Sequence, residues 1–126
     1  MNRHTFWKLI EESRGEDQIA RLTARLKQFS PHEISTFDAI IRTLLLQSYK
    51  RALWQAFADV VGFVSDDRFE YFRCWLIAQG EGIFLEVTTH PARVCEFVSK
   101  ETDASLEELL YVANDAYEQV TGTELF

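Results

Sequence analysis

The chain predicts an all-α fold: a single compact multi-helix, bundle-like domain over residues 1–126. Three observations carry this. Apolar residues recur at spacings of three and four along most of the sequence, and no segment alternates at period two for long. There are only 5 Gly and 2 Pro, too few for an all-β chain full of tight turns. Helix starts are marked at Ser30-Pro31-His32-Glu33, at Ser65-Asp66-Asp67 and at Ser105-Leu106-Glu107-Glu108. A length of 126 residues suits one domain, and 47% hydrophobic content supports a real core.

Taken in order, Asn2 or Thr5 can cap a first helix with Phe6, Leu9 and Ile10 on one face and Trp7 as a core anchor. Gly15 breaks it. A second helix runs from about Asp17 to Phe29, with Ile19, Leu22, Leu26 and Phe29 inward and Arg21, Arg25 and Lys27 in water. Ser30 and Glu33 form a capping box with Pro31 at the first helical position, which makes His32 an exposed first-turn residue. The third helix carries the stripe Ile34, Phe37, Ile41, Leu44, Leu45, Ser48. Near Arg51 the apolar face shifts to Leu53, Trp54, Phe57, Val60 and Val61, so a break falls there, and Gly62 ends the fourth helix.

The fifth helix is framed by Ser65 and Gly80 and is apolar on most sides, which predicts a central position. Phe69, Phe72, Trp75 and Leu76 share one face. Trp75 is therefore read as core, and Trp75→Ala as costing about 3–5 kcal/mol. A helix with Ile83, Phe84 and Val87 stops before Pro91, although Ile83–Thr88 also tolerates a strand. Pro91 opens a short helix through Val94 and Val98. The Ser105 capping box begins a last helix closed by Gly122. Cys74 and Cys95 have no metal-ligand or redox spacing and read as small core residues.

Arg73 is the unusual residue, a guanidinium set between Phe72 and Trp75. A buried cation needs partners, and Glu70 lies one turn before it and Asp66 two turns before. Two readings follow. In one, Arg73 closes a structural ion pair with the acidic end of its own helix. In the other, Asp66, Asp67, Glu70, Arg73 and Trp75 line a polar pocket for a ligand or partner.

Net charge is −7, unevenly spread. Residues 1–60 hold nine Lys/Arg against seven Asp/Glu, and residues 61–126 hold four against thirteen. The second half is thus an acidic surface that repels nucleic acid and anionic membranes and attracts a basic protein. No membrane span and no signal-peptide core are present, which predicts a cytoplasmic protein with reduced thiols. There is no Gly-rich phosphate loop, nucleophile elbow, HExxH or Cys/His zinc pattern. No cofactor, metal or catalytic residue is expected.

The stretch Ser65-Asp66-Asp67-x-Phe69-x-x-Phe72-Arg73-x-Trp75-Leu76-Ile77 resembles the signature of a bacterial family catalogued as domain of unknown function 4240. Phe6-Trp7-x-Leu9-Ile10-Glu11 fits its opening and Leu53-Trp54 its middle. Glu108 to Ala113, Ala116-Tyr117 and Thr121-Gly122 fit its close. Gly62-Phe63-Val64 departs from the small residues expected before the Ser65 cap. The resemblance implies a helical bacterial domain and carries no reaction. The functional expectation is a non-enzymatic interaction protein, of adaptor, inhibitor or immunity type, that meets a basic partner through its acidic half. The alternative is a small-molecule binder or enzyme at the Asp66–Trp75 motif.

Overall fold

In the computed structural model, which describes residues 1–126, the chain is all-helical. Helix α1 (Arg3–Ser13) starts where Asn2 Oδ1 accepts from the Thr5 N–H at 2.8 Å. Helix α2 (Gln18–Leu26) is shorter than the Asp17–Phe29 expectation. Asp17 sits in the left-handed region (φ 59°) without a side-chain cap, and the Phe29 N–H already bonds back three residues to Leu26 O. Arg21 closes the α1–α2 turn by donating to the carbonyls of Ser13 and Arg14.

Helix α3 (Pro31–Gln47) has Ser30 Oγ accepting from the Glu33 N–H at 3.2 Å, with Pro31 in the first turn. Its buried side is the expected stripe, Ile34 through Ser48. The break falls at Ser48-Tyr49-Lys50. Helix α4 (Arg51–Val61) follows and ends at Gly62 (φ 95°). Helix α5 (Asp66–Ala78) is capped by Ser65, whose Oγ accepts from the Arg68 N–H at 3.2 Å. Gly80 (φ 106°) separates it from α6 (Glu81–Thr89). The positive φ favours glycine, and a Cβ there would lie 3.2 Å from Glu11 Cγ, close enough that this side chain would have to shift. The β-tolerant Ile83–Thr88 run is helical, because Phe84 and Val87 face the core one turn apart.

Pro91–Glu96 forms a 3₁₀ turn against α4. The Ser105 capping box does not form. The Leu106 N–H donates to Tyr71 O of α5 at 3.1 Å, and the chain enters a second 3₁₀ segment, Glu107–Tyr111, with no side-chain cap. Helix α7 (Val112–Thr121) follows, ends at Gly122 (φ 78°) and packs on α2 and α3. One hydrophobic cluster of 30 buried residues draws on every helix, with Phe6, Phe37, Phe57, Phe69 and Phe72 fully enclosed. No helix is long and apolar enough to cross a membrane.

Candidate functional site

Helix α5 runs through the middle of this core. Phe69, Phe72, Arg73, Cys74, Leu76, Ile77 and Ala78 are all buried along it. The first turn of α5, Asp66 to Arg68, is exposed, and beyond it Glu70, Tyr71 and Trp75 are the helix residues left in partial view, with Gln79 just past its end. Trp75 is therefore half-buried and not a core residue, contrary to its place in the apolar spacing. The Phe72 ring stacks on Phe57 with centroids 3.9 Å apart and reaches Trp75 at 6.2 Å. Trp75 caps that aromatic column from outside, and its indole N–H has no protein acceptor. Every sealed side-chain nitrogen or oxygen in the structure does have a partner, so this N–H is open to solvent.

The motif residues consequently divide between two concavities. The first, of about 360 Å³, lies between the end of α3 and the start of α5 and is bordered by Asp66, Asp67, Glu70 and Arg73 with Leu46 and Tyr49. Arg73 is 4% exposed. Its Nε donates to Phe69 O at 3.3 Å, and Nη1 donates to Leu45 O near the C-terminus of α3. The guanidinium lies 4.6 Å from the Phe69 ring centre and 4.9 Å from that of Tyr49. No carboxylate comes within ion-pair distance of it. The expected ion pair with the acidic end of α5 is thus not formed. Main-chain carbonyls 4 and 28 residues away hold the group in its place. Burial lowers its pKa, an effect partly opposed by the nearby charge of Glu70. Asp66 accepts from Tyr49 Oη at 3.2 Å, while Asp67 and Glu70 have no cationic partner.

The second concavity, of about 880 Å³, is an open groove between α2, α7 and the segment before Glu107. Ile19, Trp75 and Leu106 supply its apolar surface. Asp17, Asp103, Glu108 and Asp115 stand along it, and none of them is in an ion pair. Its one basic residue, Lys27, donates to Gln119 Oε1 at 2.9 Å. Sequence spacing brings none of these acids next to Trp75. Only the tertiary packing, α2 against α7 and the Glu107–Tyr111 segment against α5, does so.

Other titratable groups follow their surroundings. Burial, reinforced by the Glu70 charge, pushes the Cys74 thiol up to about 12. Cys95 is exposed, so only one of the two cysteines is a core residue. Tyr71 is raised by local desolvation and then by the charges of Glu107 and Asp67. Tyr111 is raised first by its hydrogen bond to Glu107, 2.7 Å long. His32 and His90 are exposed. No group of three or more His, Cys, Asp or Glu is placed to hold a metal ion.

A family profile described as "Protein of unknown function (DUF4240)" matches residues 1–119. No curated protein and no solved structure matches the chain.

Proposed function

The chain belongs to the DUF4240 family, and from that premise we propose that it is a non-enzymatic interaction module that docks a basic segment of a partner protein. One observation carries this. Of the thirteen acidic residues in 61–126, only Glu86 and Glu96 sit in ion pairs, both with Arg93. The rest stand without a cation of their own. Surface charge left this uncompensated raises the local potential and speeds encounter with a basic surface.

The groove at Trp75 is where that charge meets apolar surface. A half-buried indole is a good receiver for a guanidinium or ammonium, through the negative face of its ring. Asp103, Glu108 and Asp115 then surround the same cation. An aromatic anchor inside a charged rim is the composition that concentrates binding energy at protein interfaces. The groove is open to solvent and encloses about 880 Å³. The setting we infer is the bacterial cytoplasm, on the family resemblance and the reduced cysteine chemistry.

The test is affinity capture from host lysate on the wild-type protein and on a variant carrying Asp103→Lys, Glu108→Lys and Asp115→Lys. The reading expects a basic protein held by the wild type at low salt, released at high salt, and absent from the variant. Capture that survives both salt and charge reversal would refute it.

A further inference from the structure

The Arg73 cleft is a second site, independent of the Trp75 groove. Arg73 has three donor nitrogens on its guanidinium and uses two of them, Nε to Phe69 O and Nη1 to Leu45 O. Nη2 has no protein acceptor. Because every sealed polar side-chain atom in the protein is partnered, Nη2 is not sealed, and the cleft is the concavity that Arg73 borders. A cation that is 4% exposed therefore presents one free donor to a space of about 360 Å³. That donor suits an anionic oxygen, and a guanidinium–carboxylate hydrogen bond gains strength away from bulk water.

A simple anion is the wrong occupant. Asp66, Asp67 and Glu70 border the same cleft without any cationic partner and would repel it. The other arginine at the rim, Arg42, is engaged by Asp38 at 3.5 Å. With Asp66 already accepting from Tyr49 Oη, the complement to one free cation and the two remaining carboxylates is a molecule with one anionic and two cationic groups. Along α5 the three acids lie about 5–10 Å from Arg73, at 1.5 Å per residue. The positive groups of the occupant must therefore be spread along a chain. Leu46, 78% exposed, and Tyr49, 54% exposed, give that chain an apolar wall, on which a run of methylenes packs while its charged end stays in water.

We propose that this cleft binds a free basic α-amino acid of the lysine class, its α-carboxylate on Arg73 Nη2 and its two ammonium groups against Asp67 and Glu70. Asp66, held by Tyr49 Oη, borders the same cleft. Binding requires no covalent step.

Isothermal titration of the full chain with L-lysine, cadaverine and glutarate tests it. Cadaverine keeps the cations and lacks the carboxylate, and glutarate lacks the cations. L-Lysine should bind, and both analogues should be weaker by about tenfold or more, as loss of a charge-assisted hydrogen bond dictates. Arg73→Met should abolish the difference between lysine and cadaverine. The pair Asp67→Asn and Glu70→Gln, at one exposed and one half-buried position outside the hydrophobic core cluster, should weaken lysine by about tenfold. Equal affinity for lysine and cadaverine would overturn the proposal. So would undiminished lysine binding in the Asp67/Glu70 variant, or no binding of lysine at about 10 mM, already beyond ordinary weak millimolar affinity.

Discussion

Two neighbouring rings on α5 should respond very differently to truncation. Phe72 is fully buried, stacked on Phe57 at 3.9 Å and bordered by Phe69 at 6.4 Å. Phe72→Ala removes a whole buried ring and leaves a cavity that a stack on both sides keeps from collapsing. That places it at the top of the range for such changes, about 4–5 kcal/mol. Trp75 is three residues on, and on spacing alone its loss would cost as much. Its indole, however, faces the groove with its N–H unpaired, and one side of the ring contacts water instead of protein. A ring that is only partly buried, leaving a dent open to solvent in place of a cavity, brings the cost down to about 2–3 kcal/mol. Urea denaturation of both variants measures the difference directly, and m values equal to wild type would show that the unfolded states are comparable. In thermal melts, each kcal/mol should appear as about 3–6 °C for a domain of this size. A Trp75→Ala loss equal to that of Phe72→Ala would refute the assignment of Trp75 to the groove.

Other expectations follow from the same structure. Cys95 is exposed and Cys74 is buried with its thiol pushed up to about 12, so a thiol reagent at pH 8 should label one cysteine in the native protein and two after denaturation. Fast labelling of both would contradict the burial. Asp38 is held above the usual carboxylate range by burial, against the lowering pull of Arg42. The folded state therefore binds this proton more tightly than the unfolded chain. Its contribution to stability is present below the ordinary carboxylate pKa and is lost as pH rises through the raised value. Wild-type stability relative to Asp38→Asn should accordingly fall as pH rises through and above the ordinary carboxylate range, and a rise would reverse the sign of the claim. Gly80→Ala should destabilise by more than about 1 kcal/mol, through both its positive φ and the approach of Glu11, as read from the unfolding midpoint.

What the sequence shows clearly is whatever is decided locally. Ser30 with Pro31, and Ser65 with Asp66-Asp67, cap helices because the bonds they make span only three residues. Gly62 and Gly122 end helices for the same kind of reason. The Ser105 box is the exception: the segment is tied to α5 by the Leu106 N–H on Tyr71 O and continues as a 3₁₀ turn, a long-range contact that no local pattern announces. Arg73 follows the same logic. Its acidic neighbours in sequence are visible, but the carbonyl that claims Nη1 belongs to Leu45 on another helix. Asp66, Asp67, Glu70 and Arg73 were legible as a group because they share one helix end, and the structure keeps them around one cleft. Trp75 was grouped with them and separates. Beyond its exposed first turn, α5 is left partly open only at Glu70, Tyr71 and Trp75, and apolar spacing does not reveal which sector that is. The groove acids, gathered from the start of α2 (Asp17), the segment before Glu107 (Asp103), the second 3₁₀ turn (Glu108) and α7 (Asp115), have no sequence signature.

The most direct measurement of the central claim is the affinity of the captured basic partner for wild type and for the Asp103→Lys, Glu108→Lys, Asp115→Lys variant, taken across about 50–500 mM salt, where screening shortens from well over 10 Å to a few ångströms. Docking on unpaired acidic charge around Trp75 predicts a steady loss of wild-type affinity with salt and a variant that binds weakly at every point. Affinity that holds through the salt series, or is unchanged by charge reversal, would contradict it.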